Sequence, residues 1–315
     1  MTARHFYHSF PRGNDAELRG LDVLESVLDR GLLLTPERIE FREELSNGSL
    51  SQPWYAMQKR MSFTELEPRE LPQHCHTFGP YSLEWDIATL IGMGAIPVFY
   101  VPLRSVPGSH SAVACSMLAR IGEIQKLLVR LDDLETLVRE SANQAELLTV
   151  TKDGSPMAQT RCSVGGAADL LTMLQHGIQP LSALTGALRA LAGYFYPTDH
   201  ERYTDLLGYY RQREWRLLAN ILHLGKPITV EVTKEDIEAL LRINDEFFGR
   251  ELDFPTGRKK RVEECQLYKT YCARPVIDTV QRLICPRSSS AKVVEIFESR
   301  DVRVPVVAIE DYAAA

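Results

Sequence analysis

A dense cluster of aromatic and charged residues, YYRQREWR, runs from Tyr209 to Arg216 between two apolar segments. If this stretch forms a strand, its side chains alternate between the two faces, so that Gln212, Glu214 and Arg216 share one face. A Gln and a Glu two residues apart in a cleft could bind a sugar hydroxyl and stabilise a cationic centre. An exposed strand whose surface charges pair with one another would account for the same pattern.

Length and composition limit the class of protein to which this chain can belong. A chain of 315 residues can bury a sizeable core in one large domain or two smaller ones. The content of 44% hydrophobic and 25% charged residues is typical of a soluble globular protein. A formal net charge of -6 argues against a global basic field for nucleic acid, although a local basic patch stays possible.

The N-terminus and the cysteines favour a cytoplasmic location. Residues 1–5 lack the apolar core of a signal peptide. No apolar run approaches the roughly 20 residues of a membrane span, so no membrane partner is expected. The six cysteines are scattered, and without a signal peptide they are expected to be reduced thiols.

Hydrophobic periodicity predicts an α+β fold with a mostly antiparallel core sheet. Phe6 to Phe10 and Val98 to Pro102 are expected to be strands, and Val302 to Ile309 is expected to be a final strand at a sheet edge because it contains Pro305. A second, shorter helix, opened by Pro36, is expected after Leu34.

The middle of the chain differs in its pattern. Leucines and isoleucines recur at spacings of 3 and 4 from Ser111 to about Asn143, and a similar region extends from Ala167 to Tyr194. We therefore expect a helical insertion at residues 107–200. Residues 1–106 and 201–315 would be the N-terminal and C-terminal parts of the α+β core.

Three short motifs resemble those of ADP-ribosyltransferase-like proteins of the PARP and DarT type. Tyr7-His8-Ser9 precedes a helix that ends in Val27-Leu28-Asp29-Arg30-Gly31-Leu32, similar to the family phrase I-L-x-x-G-L. Gly79-Pro80-Tyr81-Ser82 resembles a middle strand whose aromatic ring stacks on nicotinamide. Gln212-Arg213-Glu214 resembles the Gln-x-Glu that completes the catalytic triad, and the three motifs occur in the family's order.

The resemblance implies NAD as the cofactor and assigns a role to each residue. His8 and Ser9 would hold the NAD ribose, and Tyr81, with Ser82 beside it, would contact nicotinamide. Glu214 would hydrogen-bond a ribose hydroxyl and favour the oxocarbenium ion that develops as the nicotinamide bond breaks. Gln212 would place the acceptor.

A second resemblance covers more of the chain. Phe78 to Trp85, Gly94 to Val101 and Tyr209 to Arg216 look like segments of AbiGi-type abortive-infection proteins, which are phage-defence components of bacteria. That family carries the phrases G-A-x-P-V-x-Y-V and E-R-E-W-R, and Gln212 replaces the first Glu of the second phrase here. The resemblance implies a bacterial anti-phage protein.

Two classes of function therefore stay open. The chain could be an NAD-dependent ADP-ribosyltransferase-like effector that uses Glu214 and Gln212. Alternatively, it could be a non-catalytic antitoxin or a sensor of a phage protein or nucleic acid, with the helical insertion as the partner interface. A nuclease is less favoured, because no clustered acidic metal motif is visible.

Two further motifs contain residue types that are common in binding sites. His74-Cys75-His76 offers three ligand types, but adjacent residues rarely ligate one ion together, so no metal site is predicted. The basic run from Arg258 to Arg261 could contact a phosphate backbone, although a solvated loop is the simpler interpretation.

Overall fold

The computed structural model describes most of two long segments and short pieces of the middle of the chain. The described residues are 4–13, 15–41, 54–101, 147–151, 159–163, 193–197, 213–219, 222–223, 226–254 and 257–313, with a few single positions between 121 and 191. The chain divides into two compact units, one formed by residues 1–112 and 193–315 and the other by residues 113–192.

The first unit contains a ten-stranded sheet. Its strands are β1 (His5–Phe10), β2 (Leu32–Phe41), β3 (Trp54–Leu66), β4 (Tyr81–Asp86), β5 (Ile96–Pro97), β10 (Glu214–Leu218), β13 (Val230–Glu231), β16 (Gln266–Tyr268), β19 (Arg282–Cys285) and β20 (Val306–Ala308). The strand order is β13-β16-β2-β3-β1-β4-β19-β20, and β10 pairs with β3 and β5. Every pairing in this sheet is antiparallel except β19 with β20.

The remaining strands form separate pairs. They are β6 (Phe99–Val101) with β9 (Phe195–Pro197), β7 (Leu147–Thr151) with β8 (Gln159–Ser163), β11 (Leu222–His223) with β12 (Lys226–Pro227), β14 (Glu251–Phe254) with β15 (Gly257–Lys260), and β17 (Thr270–Tyr271) with β18 (Arg274–Pro275). The β6–β9 pair is parallel and the others are antiparallel.

Helices cover both faces of the sheet. They are α1 (Ala16–Arg30), α2 (Leu71–Phe78), α3 (Ile87–Met93), α4 (Lys234–Ile243), α5 (Asp245–Phe248), α6 (Arg287–Ser299) and α7 (Glu310–Ala313), with short 3-10 helices at Pro68–Glu70, Arg261–Glu264 and Val276–Thr279. The predicted α+β fold with a mostly antiparallel core sheet is confirmed.

Alternation along the strands separates two apolar clusters. The larger cluster includes Phe6 and Phe10 of β1 and joins one face of the sheet to α1, α3 and α6. Tyr7 points to the other face, where it packs with Leu71 and Cys75 of α2. Neighbouring residues of one strand therefore belong to different cores.

The helix expected at Pro36 is a strand. Leu32, Leu34 and Pro36 are buried while the residues between them are less so, which is the period of a strand. Pro36 stands opposite Lys59 in the ladder with β3. Leu32 and Leu34 therefore supply alternating buried positions of β2, and the strand continues through Pro36.

In the second unit the structure describes two paired strands, β7 and β8, in which residues 147–151 run antiparallel to residues 159–163. The long leucine-rich patterns that predict a helical insertion fall almost entirely outside the described residues. Helices in the two leucine-rich regions therefore stay a prediction, whereas the residues described between and after those regions, in β7, β8 and β9, form strands rather than helix.

Gly20 of α1 offers a test of how tightly the helix meets the sheet. A Cβ atom added there would lie 2.0 Å from Cε2 of Tyr81, whose side chain is fully buried. We expect Gly20→Ala to lower the free energy of unfolding by about 2 kcal/mol, because overpacking outweighs the better helix propensity of Ala. Denaturant unfolding measures the change. Asp22→Ala, at an exposed position of the same helix, is the control and should stay within about 0.5 kcal/mol. Equal stability of the two variants would contradict the packing.

Candidate functional site

The Glu214 side chain lies on the face of the sheet opposite the larger apolar cluster. Its neighbours along β10, Trp215 and Leu217, belong to that cluster or pack against it. Glu214 and Arg216 stand opposite Thr64 and Ser62 of β3, and their side chains point to the other face. The shared face that the sequence predicts for Glu214 and Arg216 agrees with this arrangement.

Both oxygens of the Glu214 carboxylate accept hydrogen bonds from this chain. Ser62 Oγ and Arg216 Nε donate to Oε1, at 2.6 Å and 2.9 Å. Tyr100 OH and Arg216 Nη2 donate to Oε2, at 3.2 Å and 3.3 Å. The side chain is only 12% exposed. A ligand hydroxyl would therefore have to replace one of these donors.

Arg216 is fully buried and connects several elements. Its Nη1 donates to Gln58 Oε1 at 3.0 Å and to the carbonyl oxygen of Gly193 at 3.3 Å. Its guanidinium also lies 4.7 Å from the ring centroid of Tyr196, which is within the range of a cation–π contact.

Arg60 extends this network toward the surface. Its guanidinium pairs with the Glu37 carboxylate and lies 5.2 Å from the Tyr196 ring centroid. We call the connected set the Glu214 cluster; its members are Glu37, Gln58, Arg60, Ser62, Tyr100, Tyr196, Glu214 and Arg216. Two carboxylates and two guanidiniums balance its formal charge, as buried charges require.

Electrostatics keep the Glu214 carboxylate ionised. Burial by itself opposes ionisation, but the positive charges of Arg216 and Arg60 and the hydrogen bonds from Arg216 and Ser62 outweigh it and lower the pKa of Glu214 to about 2. Burial and the neighbouring carboxylate raise the pKa of the Tyr100 hydroxyl above its ordinary range. At neutral pH Glu214 is thus an acceptor only and Tyr100 a donor.

His8 lies on the opposite side of the sheet from Glu214. Its ring is 6.0 Å from that of Phe10 and 6.2 Å from that of Phe63, both members of the larger apolar cluster. His8 Nδ1 donates to the carbonyl oxygen of Ser62 at 2.8 Å. Ser62 thus contacts two of the predicted site residues, His8 through its backbone carbonyl oxygen and Glu214 through its hydroxyl.

Tyr81 is enclosed beneath α1. Its ring is fully buried, stacks on Phe10 at a centroid distance of 6.1 Å, and its hydroxyl donates to the carbonyl oxygen of Glu17 at 3.1 Å. Gly20 allows this close approach. The structure thus places Tyr81 in the core rather than at an open surface.

Ser9 and Ser82 form a separate polar contact. Their hydroxyl oxygens are 2.5 Å apart, and Ser82 Oγ lies 3.2 Å from Cys75 Sγ. They face the same side of the sheet as Glu214, but β3 and β1 lie between β10 and β4. Three strand spacings separate β4 from β10, so Ser82 lies at least about 14 Å from Glu214. Gln212 lies outside the described residues.

Five of the six residues predicted for an NAD site are described by the structure, and these five are not gathered in one place. His8 and Tyr81 lie on one face, and Ser9, Ser82 and Glu214 lie on the other. Their assignment to NAD binding and catalysis stays a prediction. Apart from Arg216, the residues around Glu214 were not predicted from the sequence, although one signal was present. Gln58, Arg60 and Ser62 alternate along one stretch with Met61 and Phe63, which places the polar side chains on one face.

The other motifs resolve into structural contacts. His74 stacks on Phe78 at 4.4 Å within α2, while Cys75 faces the apolar layer. Cys75, Cys265, Cys272 and Cys285 are free thiols. Within the described part of the chain no group of three or more His, Cys, Asp or Glu side chains could hold a metal ion, and no helix there is long and apolar enough to cross a membrane.

The basic run from Arg258 to Arg261 forms part of the β14–β15 hairpin and the turn that follows, rather than a solvated loop. Arg258 pairs with Asp253 and Glu251, and Lys259 pairs with Glu264. Arg261 lies 4.1 Å from the ring centroid of Phe247. Acidic neighbours therefore neutralise a large part of this positive charge.

Comparison with known proteins adds no assignment to this geometry. No family model matches the chain, no curated protein matches it, and no solved structure matches it.

The buried ion pair can be tested by a double-mutant cycle. Arg216→Met should lower the free energy of unfolding by about 3–5 kcal/mol, because it leaves the buried Glu214 carboxylate without its main partner. Adding Glu214→Gln should recover part of that loss, since a neutral amide needs less compensation. Denaturant unfolding of the two single variants and the double variant measures the coupling. Strictly additive losses would contradict a direct pair.

Acid should destabilise the protein in two separate ranges of pH. Burial lowers the pKa of His8 and of His74 from 6.5 to about 4, and the positive charge of Arg12 acts in the same direction. The unfolded chain therefore binds these protons first, and stability is lost as the pH falls from 6.5 to about 4. Glu214, with its pKa lowered from 4.5 to about 2, adds a loss only below about pH 4.5.

His8→Asn isolates the first range, because an amide keeps an N–H that can reach the Ser62 carbonyl oxygen. The variant should lose less stability between pH 6.5 and 4 than the wild type, by on the order of 3 kcal/mol. Denaturant unfolding at several pH values measures this difference. An unchanged pH dependence in the variant would show that His8 is protonated as easily in the folded protein as in the unfolded chain.

Proposed function

We propose that this chain is a cytoplasmic bacterial anti-phage protein of the abortive-infection kind that acts by binding a protein partner, as an antitoxin or a phage sensor, rather than by NAD chemistry at Glu214. The resemblance of Phe78 to Trp85, Gly94 to Val101 and Tyr209 to Arg216 to AbiGi-type proteins carries the phage-defence assignment. The hydrogen bonds that the Glu214 carboxylate already accepts are the observation that favours partner binding over catalysis.

A transferase glutamate must accept a hydrogen bond from a ribose hydroxyl in the transition state. In this protein Ser62, Tyr100 and Arg216 already supply four donors to the two carboxylate oxygens. Displacing one of them leaves a buried polar group unpaired, at a cost of about 1–3 kcal/mol. The cluster is thus organised to hold the carboxylate in place rather than to present it to a substrate.

The positions of the other predicted NAD residues support the same choice. Tyr81 is fully buried, and His8 directs Nδ1 at the Ser62 carbonyl oxygen from the face opposite Glu214. One NAD molecule would need to reach both faces of a continuous sheet to contact all of them. Binding of a protein partner does not require these residues to meet at one site.

Charge favours a protein partner over nucleic acid. The formal net charge of the chain is -6, and acidic neighbours pair with Arg258 and Lys259 of the basic run. Binding to a phosphate backbone depends on uncompensated Lys and Arg side chains. Residues 113–192 form a compact unit of their own, and we assign the partner interface to this unit.

The test is nicotinamide release from NAD by the purified full-length protein. We expect the wild type to release no more nicotinamide than buffer does, and Glu214→Gln to behave identically. Nicotinamide is measured by chromatography. A high protein concentration and a long incubation make slow release detectable. Expression of the protein by itself should also leave bacterial growth unchanged.

Glu84→Gln is the matched control, because Glu84 is also a buried glutamate of the sheet and bonds His5 Nδ1 at 2.9 Å. Nicotinamide release or growth arrest by the wild type that Glu214→Gln abolishes and Glu84→Gln retains would overturn the proposal. That outcome would establish the transferase-like reaction predicted by the short motifs instead.

A further inference from the structure

The two chain segments that connect the compact units both reach the Glu214 cluster. The chain passes through β6 before residues 113–192, and it returns at Gly193, immediately before β9. β6 and β9 pair in parallel, with Phe99 opposite Phe195 and Tyr100 opposite Tyr196. The outgoing and returning segments thus lie side by side within the first unit.

Each connection is bonded to the cluster by its own set of contacts. On the outgoing side, Tyr100 OH donates to Glu214 Oε2 at 3.2 Å, and the Val98 backbone N–H donates to the Glu214 carbonyl oxygen at 2.9 Å. On the returning side, Arg216 Nη1 donates to the Gly193 carbonyl oxygen at 3.3 Å, and Gln58 Nε2 donates to the Phe195 carbonyl oxygen at 3.3 Å.

Side chains make most of this attachment. The β6–β9 pair is a two-stranded sheet separate from the ten-stranded sheet. On the outgoing side the backbone pairing of β10 with β5 ends at Pro97, and the bond from the Val98 N–H to the Glu214 carbonyl oxygen follows it just before β6 begins. The side chains of Arg216, Gln58 and Tyr100 supply the remaining bonds across the boundary between the two sheets. A bridge of buried polar groups that includes a charged guanidinium resists partial opening, because each lost contact leaves a polar group unpaired.

We infer that the Glu214 cluster is a positioning site that couples the two connections of the inserted unit to β3 and β10. If the outgoing connection moves away, Glu214 loses donors, and if the returning connection moves away, Arg216 loses an acceptor. If the Glu214 carboxylate shifts, the contacts that hold both connections are weakened in turn. The coupling rests on the proposed function only in that partner binding by residues 113–192 would supply the signal that the connections carry. The two connections and the strands β3 and β10 all bond to the same cluster, so a change in the cluster affects each of them.

Ser62 provides the sharpest test, because its side chain contacts Glu214 and neither connection. Ser62→Ala removes one donor from the carboxylate within β3. In the full-length protein, hydrogen exchange followed by mass spectrometry should then show about tenfold faster exchange at the amides of 98–101 and 193–197. Reciprocally, Tyr100→Phe should speed exchange at the amides of β10 and at the returning connection.

Two matched variants control for a general loss of stability. Ser82→Ala removes a buried hydroxyl from β4, and Tyr312→Phe removes a tyrosine hydroxyl that donates to the Glu84 carboxylate at 3.4 Å. Both should leave exchange at the two connections unchanged. The inference is overturned if Ser62→Ala leaves the connections unchanged, if Tyr100→Phe affects the outgoing connection alone, or if the controls speed the connections equally. Exchange is measured without NAD or a partner, so the result is independent of the nicotinamide test.

Discussion

The buried ion pair between Glu214 and Arg216 is the constraint on which this part of the structure depends. A fully buried guanidinium is tolerated only when acceptors surround it, because the cost of removing its charge from water is several kcal/mol. Arg216 obtains its acceptors from Glu214 on its own strand, from Gln58 on β3 and from the Gly193 carbonyl oxygen. One side chain therefore fixes the relative positions of two sheet strands and a returning connection.

Strand alternation explains why this polar network can exist beside a dry core. β10 and β3 place Trp215, Leu217 and Phe63 on the face covered by α1, α3 and α6. The residues between them, Glu214 and Ser62 among them, point to the opposite face and pair with one another. The same alternation separates His8 from Ser9, so residues adjacent in sequence serve two different cores.

The sequence predicts those features that depend on local periodicity. The α+β class and the common face of Glu214 and Arg216 follow from a period of two or of 3.6, and the edge position of the strand after Pro305 follows from the missing N–H of that proline. The helix predicted at Pro36 is wrong, because local sequence does not distinguish a proline in the first turn of a helix from a proline in a strand. Only the neighbouring strand, far away in sequence, makes the difference. Lys59 of β3 stands opposite Pro36, and no residue close to Pro36 in sequence indicates this pairing.

The environment of a candidate catalytic residue is likewise set by long-range register. Ser62 and Tyr100 lie 152 and 114 residues from Glu214 in sequence, and their approach depends on how β3 and β6 align with β10. Tyr81 is buried because Gly20 leaves room for its ring beneath α1. No single-sequence pattern connects those pairs.

A short motif records residue types and spacing, whereas catalysis depends on whether the carboxylate still has an oxygen lone pair free to accept a hydrogen bond from the substrate. The Gln212-Arg213-Glu214 spacing suggests a transferase glutamate, but the same phrase continues to Trp215-Arg216. An Arg two positions after a Glu on a strand shares its face, and here the two side chains meet at 2.9 Å. The E-W-R phrase thus encodes its own ion pair, and the residue that follows the motif by two positions decides how freely the glutamate can act.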